Sequence, residues 1–209
     1  KVNPNEAEWA NNSAGYHFNH NYGAGLIDAT TAVAMAASWI NLPAQTSTTS
    51  QQSSLSVAIP ENNATGITRS FDLSASALRV EQVRVKVNIN HTSRGNLAIT
   101  LTSPTGMVSR LTEVHTDANN NYAEWSMSSV RHWGESSTGT WTLQIADRSA
   151  ASNSTGGTLT SAELTVFGTS VAPVNPAPTL QITQPTNDAI FSPNASVNVA
   201  VIANDLTSS

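Results

Sequence analysis

The chain has 209 residues, of which 39% are apolar, which suits one or two domains with an ordinary core. Only 11% of the residues are charged and the formal net charge at pH 7 is -5, so the chain lacks the basic face that a nucleic-acid partner requires. The absence of cysteine excludes disulfides and thiolate zinc sites. No apolar run approaches the ~20 residues of a membrane-spanning helix.

Residues 1–42 differ from the rest of the chain because they predict a helix. Asp28 is suited to cap its first turn, apolar residues follow at helical spacing, and Pro43 ends the run. One helix behind a glycine turn cannot bury its own apolar face. We therefore expect residues 1–42 to pack on something outside the chain or on the next domain, with Tyr22 and Trp39 as candidate interface residues.

Residues 43–54 are rich in Gln, Ser and Thr and show no periodicity, which predicts a flexible linker. Residues 55–168 instead show short runs in which apolar and polar residues alternate, for example at 83–89 and 141–145. Glycine and proline turns separate these runs. The pattern predicts an all-β domain, an antiparallel β-sandwich of jelly-roll type with about eight strands.

The C-terminal part of the chain is predicted to begin a further module. Residues 169–178 contain three prolines, which predicts a stiff linker. Two strand-like runs follow at 179–183 and 195–203. Since two strands are marginally stable alone, we interpret residues 179–209 as the start of a truncated immunoglobulin-like module.

Three groups of residues are candidate metal ligands. The best is a calcium site, because oxygen ligands at alternate positions suit Ca²⁺; its residues are Asp117, Asn119, Asn121 and Glu124. Such runs also form plain turns, so both interpretations remain open. A weaker cluster spans residues 147–157. His17 and His20 are either a metal pair or a packed, hydrogen-bonded pair in a glycine loop.

The aromatic residues allow a functional and a structural interpretation. Trp125, Trp133 and Trp141 are candidates for a sugar-stacking platform, whereas the alternation of Trp141 with Leu143 favours an inward position. Trp133 is then a candidate interface residue. His132 is either a pH-sensitive interface group or a hydrogen-bonded structural histidine.

Two stretches of sequence resemble a known family. Residues 19–29, Asn-His-Asn-Tyr-Gly-Ala-Gly-Leu-Ile-Asp-Ala, resemble the C-terminal end of kexin/furin-type catalytic domains. Further short matches follow in the β domain in the family's order. Together they resemble the P domain (homo-B domain) of the same proteases. They lie at residues 94–97, 103–106, 130–135, 139–143, 157–159 and 167–168. One departure is Asn96, where furin-like members carry an aspartate.

The resemblance implies a non-catalytic part of a secreted, bacterial-type subtilisin/kexin-like serine endopeptidase. Residues 1–42 would be the end of the catalytic domain and residues 55–168 the P domain, whose partner is that catalytic domain. It also implies that the P domain stabilises the enzyme and tunes its calcium and pH dependence. A carbohydrate-binding or adhesive β-sandwich module is the alternative class.

Residues 168–173, Gly-Thr-Ser-Val-Ala-Pro, resemble the nucleophile motif of subtilases. In that family the serine opens a long buried helix. Pro173 and the two prolines that follow it forbid a helix here, so we interpret Ser170 as a linker residue. The resemblance then implies that the catalytic triad lies outside this chain.

Overall fold

The computed structural model describes residues 6–149, 156–171 and 179–204. They belong to two units, Lys1–Val171 and Ala172–Ser209. The elements are β1 (Ala10–Asn11), β2 (His17–Phe18), α1 (Ala29–Ala36), β3 (Thr46–Gln52), β4 (Val57–Ile59), β5 (Ile67–Asp72), β6 (Leu78–Asn90), a 3₁₀ turn (Arg94–Asn96), β7 (Leu97–Thr102), β8 (Val108–Thr112), β9 (Tyr122–Ser129), β10 (Thr140–Asp147), β11 (Gly157–Ser170), β12 (Thr179–Gln184) and β13 (Ala200–Asn204). None of the helices in the described part of the chain is long and apolar enough to cross a membrane.

Two antiparallel sheets form the body of the first unit. One has the strand order β5-β10-β7-β8, and the other has the order β3-β11-β6-β9 with β4 also paired to β11. Every pairing among these strands is antiparallel. The all-β fold predicted from the sequence, an antiparallel β-sandwich, is confirmed.

The core lies where the alternation of apolar residues places it. Strands β6, β7 and β10 send every second side chain between the sheets, and these side chains are buried. Trp141 is the largest of them and has no exposed surface. Phe167 in β11 points outward instead, with the guanidinium of Arg84 at 5.1 Å from the centre of its ring.

The prediction of a flexible linker at residues 43–54 is wrong for most of these residues, because Thr46–Gln52 forms the strand β3. It pairs with β11 along seven residues, from Thr46 opposite Gly168 to Gln52 opposite Ala162. An edge strand buries little side-chain surface, so it needs no apolar alternation, and threonine suits extended backbone. The hydroxyls of Thr49 and Thr165 lie 3.1 Å apart across this pair.

The predicted helix is present as α1, but it ends at Ala36 rather than at Pro43. Its N-cap is Asp28, whose carboxylate accepts a hydrogen bond from the backbone N–H of Thr31 at 3.0 Å, as expected. The helix has no buried residue, and Trp39, just beyond it, is 57% exposed. The apolar side chains of α1 are therefore exposed to solvent among the described residues of the first unit.

The second unit contains β12 and β13, which pair as an antiparallel hairpin. The first predicted run, 179–183, coincides with β12, whereas the second strand starts at Ala200 rather than at 195. The predicted immunoglobulin-like module stays a prediction. Of the predicted linker at 169–178, Thr169 and Ser170 end β11, and residues 172–178 lie outside the described residues.

Gly95 lies in the 3₁₀ turn where the chain folds closely over the loop after β8. A Cβ placed on Gly95 would stand 2.5 Å from the carbonyl oxygens of both Asp117 and His115. Backbone atoms cannot move aside as a side chain can, so we expect Gly95→Ala to lower the free energy of unfolding by about 2–3 kcal/mol. Urea denaturation of the purified chain measures this loss.

The matched control for this change is Gly23→Ala. Gly23 has a positive φ of 58° but open space around its Cα, so only the backbone conformation is strained there, by about 1 kcal/mol. A Gly95→Ala protein that is no less stable than Gly23→Ala would contradict the steric argument.

Candidate functional site

The polypeptide before the helix docks on one end of the β-sandwich, and Asn12 is the centre of this contact. Asn12 is 5% exposed, and its Nδ2 donates to the carbonyl oxygens of Arg131 at 3.1 Å and Trp133 at 2.8 Å. Its Oδ1 accepts from the backbone N–H groups of Ala14 and Tyr16. One side chain therefore shapes the turn and fastens it to the sandwich.

Glu135, which belongs to the sandwich, is the second residue that binds the docked segment. It is 2% exposed, and its Oε1 accepts from the backbone N–H of Ser13 at 3.0 Å and the hydroxyl of Thr105 at 2.8 Å. Its Oε2 accepts from Nδ1 of His132 at 3.0 Å. Burial alone would raise the pKa of Glu135, but the hydrogen bonds from His132, Ser13 and Thr105 outweigh burial and lower this pKa to about 2.

A chain of hydrogen bonds continues from His132 into the sandwich. Nε2 of His132 lies 3.0 Å from Oγ of Ser109. The same Oγ of Ser109 lies 2.7 Å from Oγ of Ser129. Oγ of Ser129 in turn accepts a hydrogen bond from the backbone N–H of Arg131. Since the carboxylate of Glu135 only accepts, Nδ1 of His132 carries the proton that it donates. The hydroxyl of Ser109 can then donate to Nε2 of His132, and the hydroxyl of Ser129 can donate to Oγ of Ser109. Every polar group of this network therefore has a hydrogen-bond partner.

The order Ser109, His132, Glu135 has the connectivity of a serine-hydrolase triad. The three residues are nevertheless 1%, 0% and 2% exposed, and the ring of His132 packs edge-on against Trp141 at 4.9 Å. A nucleophile must reach its substrate, and Ser109 is enclosed by the core. The network therefore lies beneath the docking surface and supports it.

Aromatic contacts complete the docked segment. Phe18 is buried, the ring of Trp9 meets His17 edge-on at 5.2 Å, and Trp9 stacks with Tyr22 at 6.3 Å. His20 extends the contact to β8, because its Nε2 accepts from the backbone N–H of Arg110 at 3.0 Å. Residues 9–23 are thus held by the sandwich, whereas α1 is not.

The four predicted interface residues fall in different environments. Trp133 is half-buried beside the docked segment, Tyr22 is 36% exposed, and Trp39 projects from the end of the uncovered helix. The prediction for His132 is wrong, since a side chain without exposed surface makes no direct contact with another domain. It has the structural, hydrogen-bonded role that the sequence left open as the alternative.

The four predicted calcium ligands have protein partners in the structure. The carboxylate of Asp117 accepts from Arg94 at 2.8 Å and from Asn119, and Arg94 comes first among the contacts that lower the pKa of Asp117 to about 2. Asn121 accepts from the backbone N–H of His91, and Glu124 pairs with Lys86 on β6. Calcium binding at this loop stays a prediction.

No group of three or more metal-ligating His, Asp or Glu side chains occurs among the described residues. His17 and His20 have the separate partners given above, in line with packing rather than with a shared metal. Asp147, at the start of the second cluster, is buried and lies 2.9 Å from Nε2 of His91. Residues 150–155 of that cluster lie outside the described residues.

The three tryptophans considered as a sugar platform do not form one surface. Trp141 is buried in the core, as its alternation predicted, and its indole N–H donates to the carbonyl of Ser137 at 2.9 Å. Trp125 is 42% exposed, but the guanidinium of Arg94 covers its ring at 4.6 Å.

Ser170 is the last residue of β11, opposite Leu78 on β6, so it ends an extended strand and does not open a helix. This position differs from that of the serine in the subtilase motif.

Several residues of the docking site were not found from the sequence. Asn12 and Arg110 are single polar residues without a motif, and their role depends on contacts about 100 residues away along the chain, Asn12 with Trp133 and Arg110 with Glu8. Ser109 has no signal in the sequence, because it is a polar residue that points inward on β8 while its apolar neighbour Val108 is 42% exposed. Arg131 stands within a matched motif, but its burial has no signature in the sequence.

Comparison with known proteins defines the class of the sandwich. Residues 80–166, which begin within β6 and end within β11, match the family model described as proprotein convertase P-domain. A solved serine protease of Aeromonas sobria, determined in complex with the chaperone ORF2, superposes with a TM-score of 0.67 and 26% identity over 78% of this chain and 33% of that one. The sandwich is a P domain.

Curated relatives extend the match. A PC3-like endoprotease (variant B) of Hydra vulgaris is 35% identical over 152 residues, which are 70% of this chain and 21% of the relative. Human proprotein convertase subtilisin/kexin type 5 is 32% identical over 181 residues, which are 82% of this chain and 10% of the relative. The chain is similar to the P-domain region of these subtilisin/kexin-like proteases, and it spans about a fifth or less of the length of these relatives.

Proposed function

We propose that this chain is a non-catalytic part of a secreted serine endopeptidase, and that it stabilises and regulates the catalytic domain. The observation that carries the proposal is the uncovered apolar surface of residues 26–42, which directly follows the segment docked on the P domain. Six large side chains there are 51–91% exposed: Leu26, Ile27, Val33, Met35, Trp39 and Ile40.

The energy available from covering this surface is large. A large apolar side chain contributes about 1.5–3 kcal/mol when it is fully buried. Six of them together match the ~5–15 kcal/mol that separates a typical folded domain from its unfolded state. A catalytic domain that covers residues 26–42 would therefore gain a decisive share of its stability from this contact.

The docked segment provides the mechanical link between helix and sandwich. Asn12 and Glu135 fix the segment by buried hydrogen bonds, and Gly23 and Gly25, with positive φ, turn the chain toward α1. A catalytic domain seated on the helix is thereby joined to a rigid β-sandwich. Regulation follows from the same link, because a change that loosens the docked segment also loosens the helix.

We expect the double substitution Val33→Ser and Trp39→Ser to shorten the thermal half-life of peptidase activity at least tenfold in a full-length protease that contains this chain. Both side chains are exposed in the isolated chain, so its Tm should change by less than about 2 °C. Turnover of a fluorogenic peptide after timed heating measures the half-life, and the isolated chain should show no turnover.

The matched control is Val114→Ser, since Val114 is 48% exposed but lies after β8 and outside residues 26–42. It should leave the half-life unchanged. An unaltered half-life in the double variant, or turnover by the isolated chain that a serine-directed inhibitor abolishes, would contradict the proposal.

A further inference from the structure

A cavity of about 560 Å³ lies between the docked segment and the sandwich. Its walls include Glu8, Ser13 and His20 from the segment and Thr105, Arg110 and Arg131 from the sandwich. The volume is in the range of about 300–1,000 Å³ that small-molecule sites occupy.

Among the described residues, Arg131 is a buried cation without a carboxylate partner. Its side chain belongs to a residue that is 9% exposed, and its Nε donates to the carbonyl of Val108 at 3.0 Å. Its Nη1 has no hydrogen-bond partner, and within the described ranges no carboxylate oxygen forms an ion pair with it. Taking a charge out of water without pairing it is costly, so the guanidinium favours an anion in the cavity.

The other charged groups around the cavity already have partners. Arg110 pairs with Glu8 and Glu113, and only its Nε is buried without a partner. Glu135 has its oxygens engaged by His132, Ser13 and Thr105. The pKa of Arg131 is lowered, first by burial and second by the positive charge of Arg110, whereas the negative charge of Glu8 raises it. This balance is expected of a cation with too little negative charge around it.

We propose that this cavity is a carboxylate-binding site in which Arg131 supplies the charge and the hydrogen-bond donors. Guanidinium and carboxylate match in planar geometry, and charge-assisted hydrogen bonds between them are about twice as strong as neutral ones. Thr105 and Arg110 add polar side chains to the walls. The carboxylate comes either from a small organic acid or from an acidic side chain of a polypeptide.

Thermal melts of the purified chain test the proposal with acetate, succinate and the peptide acetyl-Gly-Glu-Gly-amide, at ionic strength matched with NaCl. We expect a saturable rise in Tm of about 3–5 °C at a tenfold excess over Kd. A response to acetate and succinate equal to that of the peptide identifies small acids as the source. A response at least tenfold more sensitive to the peptide identifies an acidic side chain.

Arg131→Met removes the charge and keeps the length of the side chain. It should abolish the rise in Tm, and because it removes an unpaired buried charge, the ligand-free variant should be at least as stable as the wild type. Arg131→Lys keeps the charge without the planar fork and should weaken the response at least tenfold in Kd, a readout that does not depend on the folding of the methionine variant.

Arg84→Met, which removes an arginine outside the cavity, is the matched control and should respond like the wild type. The proposal is overturned if none of the three probes raises the Tm of the wild type beyond NaCl. It is also overturned if Arg131→Met or Arg131→Lys responds as strongly as the wild type.

Discussion

Replacing Glu135 by glutamine is expected to lower the free energy of unfolding by about 3 kcal/mol at pH 7, which corresponds to a fall in Tm of roughly 6–12 °C. Glutamine keeps the shape of the side chain but has one acceptor oxygen and no charge. The donors of Ser13, Thr105 and His132 then compete for that oxygen in a site with almost no access to water. Urea denaturation followed by tryptophan fluorescence measures the loss.

The contribution of Glu135 should depend on pH with a definite sign. Its pKa is about 2 in the folded chain, against an ordinary value of 4.5, so the carboxylate stabilises the fold fully above about pH 4.5. As the pH falls from 4.5 toward 2, the unfolded chain binds the proton first and the stabilisation, about 3 kcal/mol, is lost. The difference in stability between wild type and Glu135→Gln should therefore shrink between pH 5 and pH 2.

Taking this difference isolates Glu135, because Asp117, whose pKa is also lowered to about 2, is present in both proteins. Glu124→Gln serves as the control, since Glu124 forms an exposed ion pair with Lys86 and should change the Tm far less. A difference between wild type and Glu135→Gln that stays constant across this pH range would refute the assigned pKa.

Trp141→Ala is expected to cost about 3–5 kcal/mol, because it removes the largest fully buried side chain of the sandwich and leaves a cavity. The loss includes the hydrogen bond from its indole N–H to the carbonyl of Ser137 and the edge-on contact with His132. Trp141→Phe should keep most of the packing and lose only about 1–2 kcal/mol. Chemical denaturation of both variants gives the two values.

Trp125→Ala is the matched control for this prediction. Its side chain is 42% exposed and rests against Arg94 and Tyr122, so its loss should be less than half that of Trp141→Ala. Equal losses at the two positions would show that Trp141 is not the central packing element described above.

The sequence predicted the sandwich because strands β6, β7 and β10 alternate over most of their length, and burial follows alternation when one sheet face meets a core. It failed at β3, where an edge strand of threonine and serine is held by backbone hydrogen bonds that leave no hydrophobic signature. It also failed at Ser109, because a polar residue that points inward is specified by its partner, His132, 23 residues away. Periodicity carries no information about such pairs.

The docking site shows the same limit on a larger scale. The motif that contains Trp133 and Glu135 was found by resemblance, and so was the glycine turn at residues 22–25. That Asn12 joins the segment before this turn to the motif of Trp133 follows only from the fold, because the contact closes a loop of about 120 residues. The motifs were therefore predictable and their connection was not.

The pairing of Thr46 with Gly168 brings the entry and exit of the sandwich to one corner, since β3 begins where β11 ends. A tensile load applied between residues 46 and 170 would act across the ladder at its open end. The hydrogen bonds between the two strands would then break one after another, as in a zipper, and would not share the load in shear. A pull on the two ends of the sandwich would therefore peel β3 from β11 before it loads the core.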